Sequence, residues 1–316
     1  MERFICEDNY LQEMQNTVVP YITERRNDAQ LPSFDGKLLH VATFAADSPR
    51  AEAVVVHGYT ESIEKYHEVI YYLLTSGINV TIYEQRGHGK SYREVDDKTL
   101  THIDSFDEYV NDLEAVVKSV KARGELPTYL IAHSMGGAVA ALYLEKHPED
   151  FAKAVLLSPM IAPSTNGVPA GITKLIARTA ILFGKRKKRL FNMTEYPGKE
   201  HYADSCASSE ARFDYYEAIK SSNEDYQNYS ATYGWLLESL CVTKKILKKG
   251  EVEKINIPVL MVQASQDTTV LLVPQNEFAK RLPKGKVVYT ICKHETFRAH
   301  DEAWSKLVDD IIGFLS

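Results

Sequence analysis

One segment of the chain, Thr128-Tyr129-Leu130-Ile131-Ala132-His133-Ser134-Met135-Gly136-Gly137-Ala138, sets a single serine among very small neighbours. An apolar run leads into it and an alanine-rich run leaves it. A serine at a very tight strand-to-helix turn is forced outward with its hydroxyl exposed. The residues two places on either side must be small, because the following helix packs hard against the strand. The usual pattern is G-x-S-x-G. Here Ala132 takes the first glycine's place, and as the next smallest side chain it is expected to let the turn survive. The helix N-terminus adds partial positive charge where an oxyanion would develop.

A serine hydroxyl is a weak nucleophile until an imidazole takes its proton, and the imidazole needs a carboxylate to fix its tautomer. Such partners are expected in the order serine, acid, histidine, at the ends of later strands. The run Val259–Gln263 leads into Ala264-Ser265-Gln266-Asp267, and Lys286–Ile291 leads into Cys292-Lys293-His294. Alone, Asp267 reads as a turn residue and His294 as a surface histidine. Together and in order they read as acid and base for Ser134. His300, at the start of the last helix, is the rival base, and a capping or exposed role suits it better. His133 abuts the serine, but its side chain is expected to point away.

The run Ala53–Val56 ends in His57-Gly58-Tyr59-Thr60-Glu61-Ser62. Backbone amides of Tyr59 and Met135 are the expected oxyanion donors, with Gly58 allowing close approach. Each such donor is typically worth about 2.7–4 kcal/mol in the transition state. His57 reads as structural.

These residues need a scaffold. Short apolar runs at Leu38–Phe44, Ala53–His57, Asn79–Glu84, Thr128–Ala132, Ala154–Ser158, Val259–Gln263 and Lys286–Ile291 predict strands, most without alternation, as expected when both faces are buried. Asp35-Gly36 predicts a hairpin turn before the first. Amphipathic runs over Phe106–Lys121 and Asp301–Leu315 predict helices, the first with a capping box from Ser105 and Glu108. The pattern predicts an α/β fold with a mostly parallel central sheet. The texture changes over residues 161–254, which reads as an inserted helical lid. Residues 1–160 and 255–316 then form a single core domain.

Composition narrows the function classes. A formal net charge of -6 over 316 residues gives no reason to expect nucleic acid as a partner. Four scattered cysteines without a CxxC pair read as free thiols. The N-terminus is charged from its second residue, and no run approaches the ~18 apolar residues of a membrane span. The expectation is a cytoplasmic protein whose membrane contact, if any, is peripheral.

With these motifs in place, the chain resembles the lysophospholipase L2 and monoacylglycerol lipase branch of the α/β-hydrolases. The segments that carry the likeness are residues 57–62, Tyr83-Glu84-Gln85-Arg86-Gly87-His88-Gly89-Lys90-Ser91, Ala132 to Gly137, Gln263 to Thr269, and His294-Glu295. Ser208 to Phe213 and Thr232 to Leu236 extend it into the insertion. The resemblance implies hydrolysis of monoacyl lipids or short esters without metal or organic cofactor. It gives the R-G-H-G-x-S segment a structural part only.

Aromatic residues Phe213, Tyr233 and Trp235 are the candidate substrate contacts in the insertion, although rings there equally serve to hold helices together. The run Lys185-Arg186-Lys187-Lys188-Arg189 reads as a solvated loop or as a patch for an anionic membrane surface. The expected activity is cleavage of a lysophospholipid or monoacylglycerol through an acyl-enzyme. The alternatives are a small-ester carboxylesterase, an aminopeptidase-type amidase using Glu210, Asp214 or Glu217 to read an amine, and a non-catalytic binding protein.

Overall fold

A computed structural model describes residues 4–316. Eight strands form one sheet: β1 (Arg26–Pro32), β2 (Leu38–Phe44), β3 (Ala51–Val56), β4 (Ile78–Tyr83), β5 (Thr128–His133), β6 (Lys153–Leu157), β7 (Val259–Ala264) and β8 (Gly285–Thr290). Their order is β1-β2-β4-β3-β5-β6-β7-β8. The first three pair antiparallel, and from β4 to β8 every pairing is parallel.

Alternation along the central strands sorts their side chains onto two faces. Val54, Val56, Leu130, Ala132, Leu156 and Met261 pack with helices Asp107–Lys121 and Met135–Leu144. Val55, Ile131, Val155 and Val262 pack with the helical residues 10–23 and with helices His67–Thr75 and Asp301–Leu315. Both faces are covered, which is why these strands read as unbroken apolar runs.

The leading hairpin is present, with Gly36 at φ 78° in its turn. Its first strand is polar and mostly exposed, as an edge strand can be. The predicted strands lie within one or two residues of those found. At the helix Asp107–Lys121, the Glu108 carboxylate accepts from the Ser105 amide at 3.4 Å, while the Ser105 hydroxyl accepts from the Asp107 amide at 3.3 Å.

Between β6 and β7 lie three longer helices, Ala170–Leu182, Glu210–Ser222 and Tyr233–Ile246. The last sends Trp235, Val242 and Ile246 into the same cluster as the core helices. The first buries only Ala177. A short parallel pair, Leu100–Thr101 with Ser230–Ala231, ties this stretch to the core. Among the described residues no helix is long and apolar enough to cross a membrane.

Candidate active site

The loops after β3, β5, β7 and β8 leave the sheet at the carboxyl ends of parallel strands, the edge where open α/β sheets form their sites. Ser134 stands between β5 and the helix that follows, with φ 52° and ψ -119°. A non-glycine residue in that region is strained by about 1–3 kcal/mol and persists only when its surroundings fix it. They do so here. The Ser134 amide donates to the Leu157 carbonyl at 3.0 Å, and its carbonyl accepts from Gly137 and Met160 at 2.9 and 2.8 Å. A Cβ at Gly136 would sit 2.2 Å from the Val56 carbonyl oxygen, and one at Gly137 would sit 2.5 Å from Pro159 Cβ. Those two glycines are what let the helix close on the strands, while Ala132 fits at the first small position, buried.

The structure brings Ser134, His294 and Asp267 together. Ser134 Oγ lies 2.8 Å from His294 Nε2, and His294 Nδ1 lies 2.6 Å from Asp267 Oδ2. The other carboxylate oxygen of Asp267 accepts the Thr269 and Val270 amides at 2.8 and 3.1 Å. Burial acts to raise the Asp267 carboxyl, but the His294 ring and these amides outweigh it and hold the group below the ordinary carboxylate value. An ionised Asp267 facing Nδ1 is the arrangement that leaves Nε2 free to accept a hydroxyl proton.

Of three consecutive amides in the loop after β3, Gly58 donates to Glu61 and Thr60 donates to His88 Nε2 at 3.2 Å. The Tyr59 amide between them has no acceptor among the described residues. Met135 is the first residue of its helix, so its amide lacks an intrahelical partner by position.

The other expectations fall into place unevenly. His57 is fully buried. One ring nitrogen contacts the Gly58 carbonyl at 2.7 Å, and the other accepts the Gln85 amide at 2.9 Å, a structural part. His300 is exposed and faces Glu7. The R-G-H-G-x-S segment folds around the Glu84 carboxylate, which fills the space a Gly89 side chain would need. His133 lies against His294, ring centroids 4.9 Å apart.

Trp235 lies tilted over the Tyr59 ring, centroids 4.2 Å apart, and donates from Nε1 to the Tyr109 hydroxyl at 3.3 Å. Phe213 is buried against Tyr202 and the Arg298 guanidinium. Tyr233 lines a cleft of about 580 Å³ with Leu175, Ile176, Ala180 and Phe183. Three of the five charges in the basic run are used within the molecule: Arg186 pairs with Asp104, Lys187 with Glu94 and Arg189 with Asp97. Glu217 is committed to the Tyr196 hydroxyl and the Glu200 amide, and Asp214 lines a groove beside residues 7–15.

The contact between Glu61 and His133 was not legible, since 72 residues separate the partners. The only sequence signal was the acidic residue that closes the His-Gly loop.

A family model described as Hydrolase_4, serine aminopeptidase S33, matches residues 47–312. The chain is similar to lysophospholipase L2 of Escherichia coli (strain K12), 26% identical over 260 residues that cover 78% of this chain and 72% of the relative. It is also similar to a monoglyceride lipase homolog of monkeypox virus, 26% identical over 267 residues that cover 83% and 88%. Among solved structures, a soluble variant of monoglyceride lipase from Saccharomyces cerevisiae, in complex with a substrate analog, superposes with a TM-score of 0.72. Its sequence identity is 17%, over 92% of this chain and 94% of that one, a likeness of fold. The chain therefore belongs to the Hydrolase_4, serine aminopeptidase S33, family of α/β-hydrolases and is a serine ester hydrolase.

Proposed function

We propose that the protein cleaves monoacyl lipid esters, a lysophospholipid or a monoacylglycerol, through a covalent acyl-enzyme. The observation that carries the reading is the Ser134–His294–Asp267 hydrogen-bonded chain at the sheet's carboxyl edge. In this mechanism Ser134 Oγ attacks the ester carbonyl as His294 Nε2 takes the hydroxyl proton. Asp267 stabilises the imidazolium, and the Tyr59 and Met135 amides hold the oxyanion. His294 then gives its proton to the departing alcohol. Water repeats the sequence on the acyl-enzyme to release the fatty acid.

Support for a monoacyl substrate comes from the mostly apolar cleft of Leu175, Ile176, Ala180, Phe183 and Tyr233, with Thr179 and Lys185 as its polar lining, which suits one acyl chain with a polar end. The names of the relatives, lysophospholipase L2 and a monoglyceride lipase homolog, point the same way. Residues 161–254 act as a cap over the core in this reading, with Tyr233 as a substrate contact and Trp235 supporting Tyr59. Against an amidase reading, Glu217 is already engaged, Asp214 faces the N-terminal segment, and Glu210 is exposed at the first turn of its helix.

The test is labelling by a fluorophosphonate probe, wild type against Ser134→Ala, followed by p-nitrophenyl esters of increasing length and a lysophospholipid. The expected result is labelling lost in the variant and turnover that rises toward long chains. A preference for acetate or butyrate would keep the chemistry and move the substrate to small esters. A folded wild type that does not label would overturn the mechanism.

A further inference from the structure

Beneath the site lies a buried charged contact that the mechanism above does not use. Glu61 is 3% exposed and His133 is 2% exposed. The Glu61 carboxylate accepts from the Gly58 amide, from the Tyr66 hydroxyl at 2.6 Å and from Lys65 Nζ at 3.0 Å. It faces His133 Nδ1 at 3.1 Å. Burial acts to raise this carboxyl, yet Lys65, His133 and Tyr66 hold it well below the ordinary value, so it stands ionised.

We propose that Glu61 and His133 form a positioning pair that sets the Tyr59 amide and the His294 ring against Ser134. This rests on the reading of Ser134, His294 and Tyr59 given above. The pair touches each of the three segments that carry the reacting groups. On the oxyanion side, Glu61 holds the Gly58 N–H while the His57 ring holds the Gly58 carbonyl at 2.7 Å. Because the peptide group is planar and trans, fixing that carbonyl also fixes the direction of the Tyr59 N–H. Glycine at 58 is what admits the pair. A Cβ there would meet Glu61 Oε2 at 2.9 Å and His133 Nδ1 at 3.0 Å.

On the histidine side, His133 precedes Ser134 in the chain and packs its ring under that of His294. Its Nε2 lies 3.4 Å from the His294 carbonyl oxygen, and Phe297 closes the far side edge-on at 5.0 Å. The carboxylate therefore reaches the oxyanion loop directly and the histidine loop through one ring. Lys65 completes the arrangement, its ammonium shared between Glu61 and Glu295.

A pair that only filled space would affect stability and leave the chemical step of the folded enzyme alone. A positioning pair affects kcat, since misplacement of a catalytic group by about 1 Å costs on the order of 100-fold. The experiment compares Glu61→Gln, His133→Gln and the double variant with wild type. It measures kcat and KM on a p-nitrophenyl ester, the rate of fluorophosphonate labelling, and thermal melting to confirm folding.

The expected result is a fall in kcat of about 10- to 100-fold in each single variant, with KM within about twofold. Labelling should slow in parallel, and the double variant should be no worse than the poorer single one, because both act through one unit. If Glu61→Gln does not fold because it strands Lys65, His133→Gln carries the test alone. Folded variants that label and turn over at the wild-type rate, or losses that multiply in the double variant, would overturn the pair. Failure of the wild type itself to label would instead remove the reading of Ser134.

Discussion

Residues 164–205 and residues 206–246 are two halves of the stretch between β6 and β7, yet they are buried to very different depths. The second half is tethered by buried polar contacts. Arg212, its side chain fully buried, donates to both oxygens of Glu68 at 2.9 and 3.2 Å, to Asp301 at 2.9 Å and to the Ile5 carbonyl at 2.8 Å. Asn228 reaches the Gly87 carbonyl and the Thr101 hydroxyl at 2.7 and 2.9 Å, and Trp235 lies on Tyr59. The first half shows apolar side chains to solvent: Leu175 is 65% exposed, Leu182 86% and Phe183 77%. The difference is one of depth, for the two halves are joined by Tyr196 and Glu200 on Glu217 and by Arg189 on Ser230. The second half forms a buried wall against the loop after β3, where Trp235 meets Tyr59, and the helix Ala170–Leu182 packs on Tyr233–Ile246 from outside and bounds the cleft.

The largest effect should come from breaking the wall. Arg212→Leu leaves Glu68 and Asp301 without their buried cation, and removing one partner of a buried pair typically costs about 3–5 kcal/mol. Tyr10, Tyr72 and Trp304 would still donate to Glu68, so the loss should fall toward the lower end of that range. Denaturant unfolding measures it. A variant as stable as wild type would mean that the wall is held by its apolar contacts alone.

Hydrogen exchange sharpens the same contrast without a mutation. Amides of Ala170–Leu182, with one buried residue, should open at the low end of the free-energy scale. Those of Glu210–Ser222, which buries Arg212, Phe213, Tyr216, Glu217 and Lys220, should approach the global value. Equal protection in both helices would erase the distinction.

The exposed helix should matter to substrate more than to folding. Leu175→Ser and Phe183→Ser change stability by within about 0.5 kcal/mol, as surface substitutions do. If an acyl chain covers these side chains on binding, each removes part of the ~1.5–3 kcal/mol that burying such a residue provides. KM for a long-chain ester should then rise several-fold while that for a butyrate ester stays put. Parallel changes for both esters would place the acyl chain elsewhere.

How much of this was legible in the sequence follows from where the information lies. Ser134, its small neighbours, Asp267 and His294 were readable because each is set by its own strand end and turn. The central strands were readable because burial on both faces leaves long apolar runs. The strand Arg26–Pro32 shows no such run, and only the Asp35-Gly36 turn hinted at it, because edge pairing rather than composition makes it a strand. Arg212 looked like any helical arginine, since its partners Glu68 and Asp301 lie 144 and 89 residues away. The basic run suggested a free patch for the same reason. Its acidic partners, Glu94, Asp97 and Asp104, come from a distant loop.

That run ties the first half to the loop of Glu94, Asp97 and Asp104, and at this seam the smallest effects are expected. Lys187 and Glu94 are both partly solvent-exposed, and exposed pairs are worth about 0.2–1 kcal/mol, so Lys187→Gln should barely shift the melting temperature. Arg189 is more enclosed. Besides Asp97 it binds the Ser230 hydroxyl at 3.0 Å and the Thr194 carbonyl at 2.6 Å, so Arg189→Gln should cost more and depend less on salt. Equal losses in the two variants, both removed by high salt, would mean that charge alone closes the seam. Lys185 and Lys188 make no ion pair among the described residues and leave the seam intact when neutralised. If the double change Lys185→Gln and Lys188→Gln abolishes binding to vesicles of anionic lipid at unchanged stability, the run docks on a membrane surface as well. Unchanged binding would confine it to holding the first half against that loop.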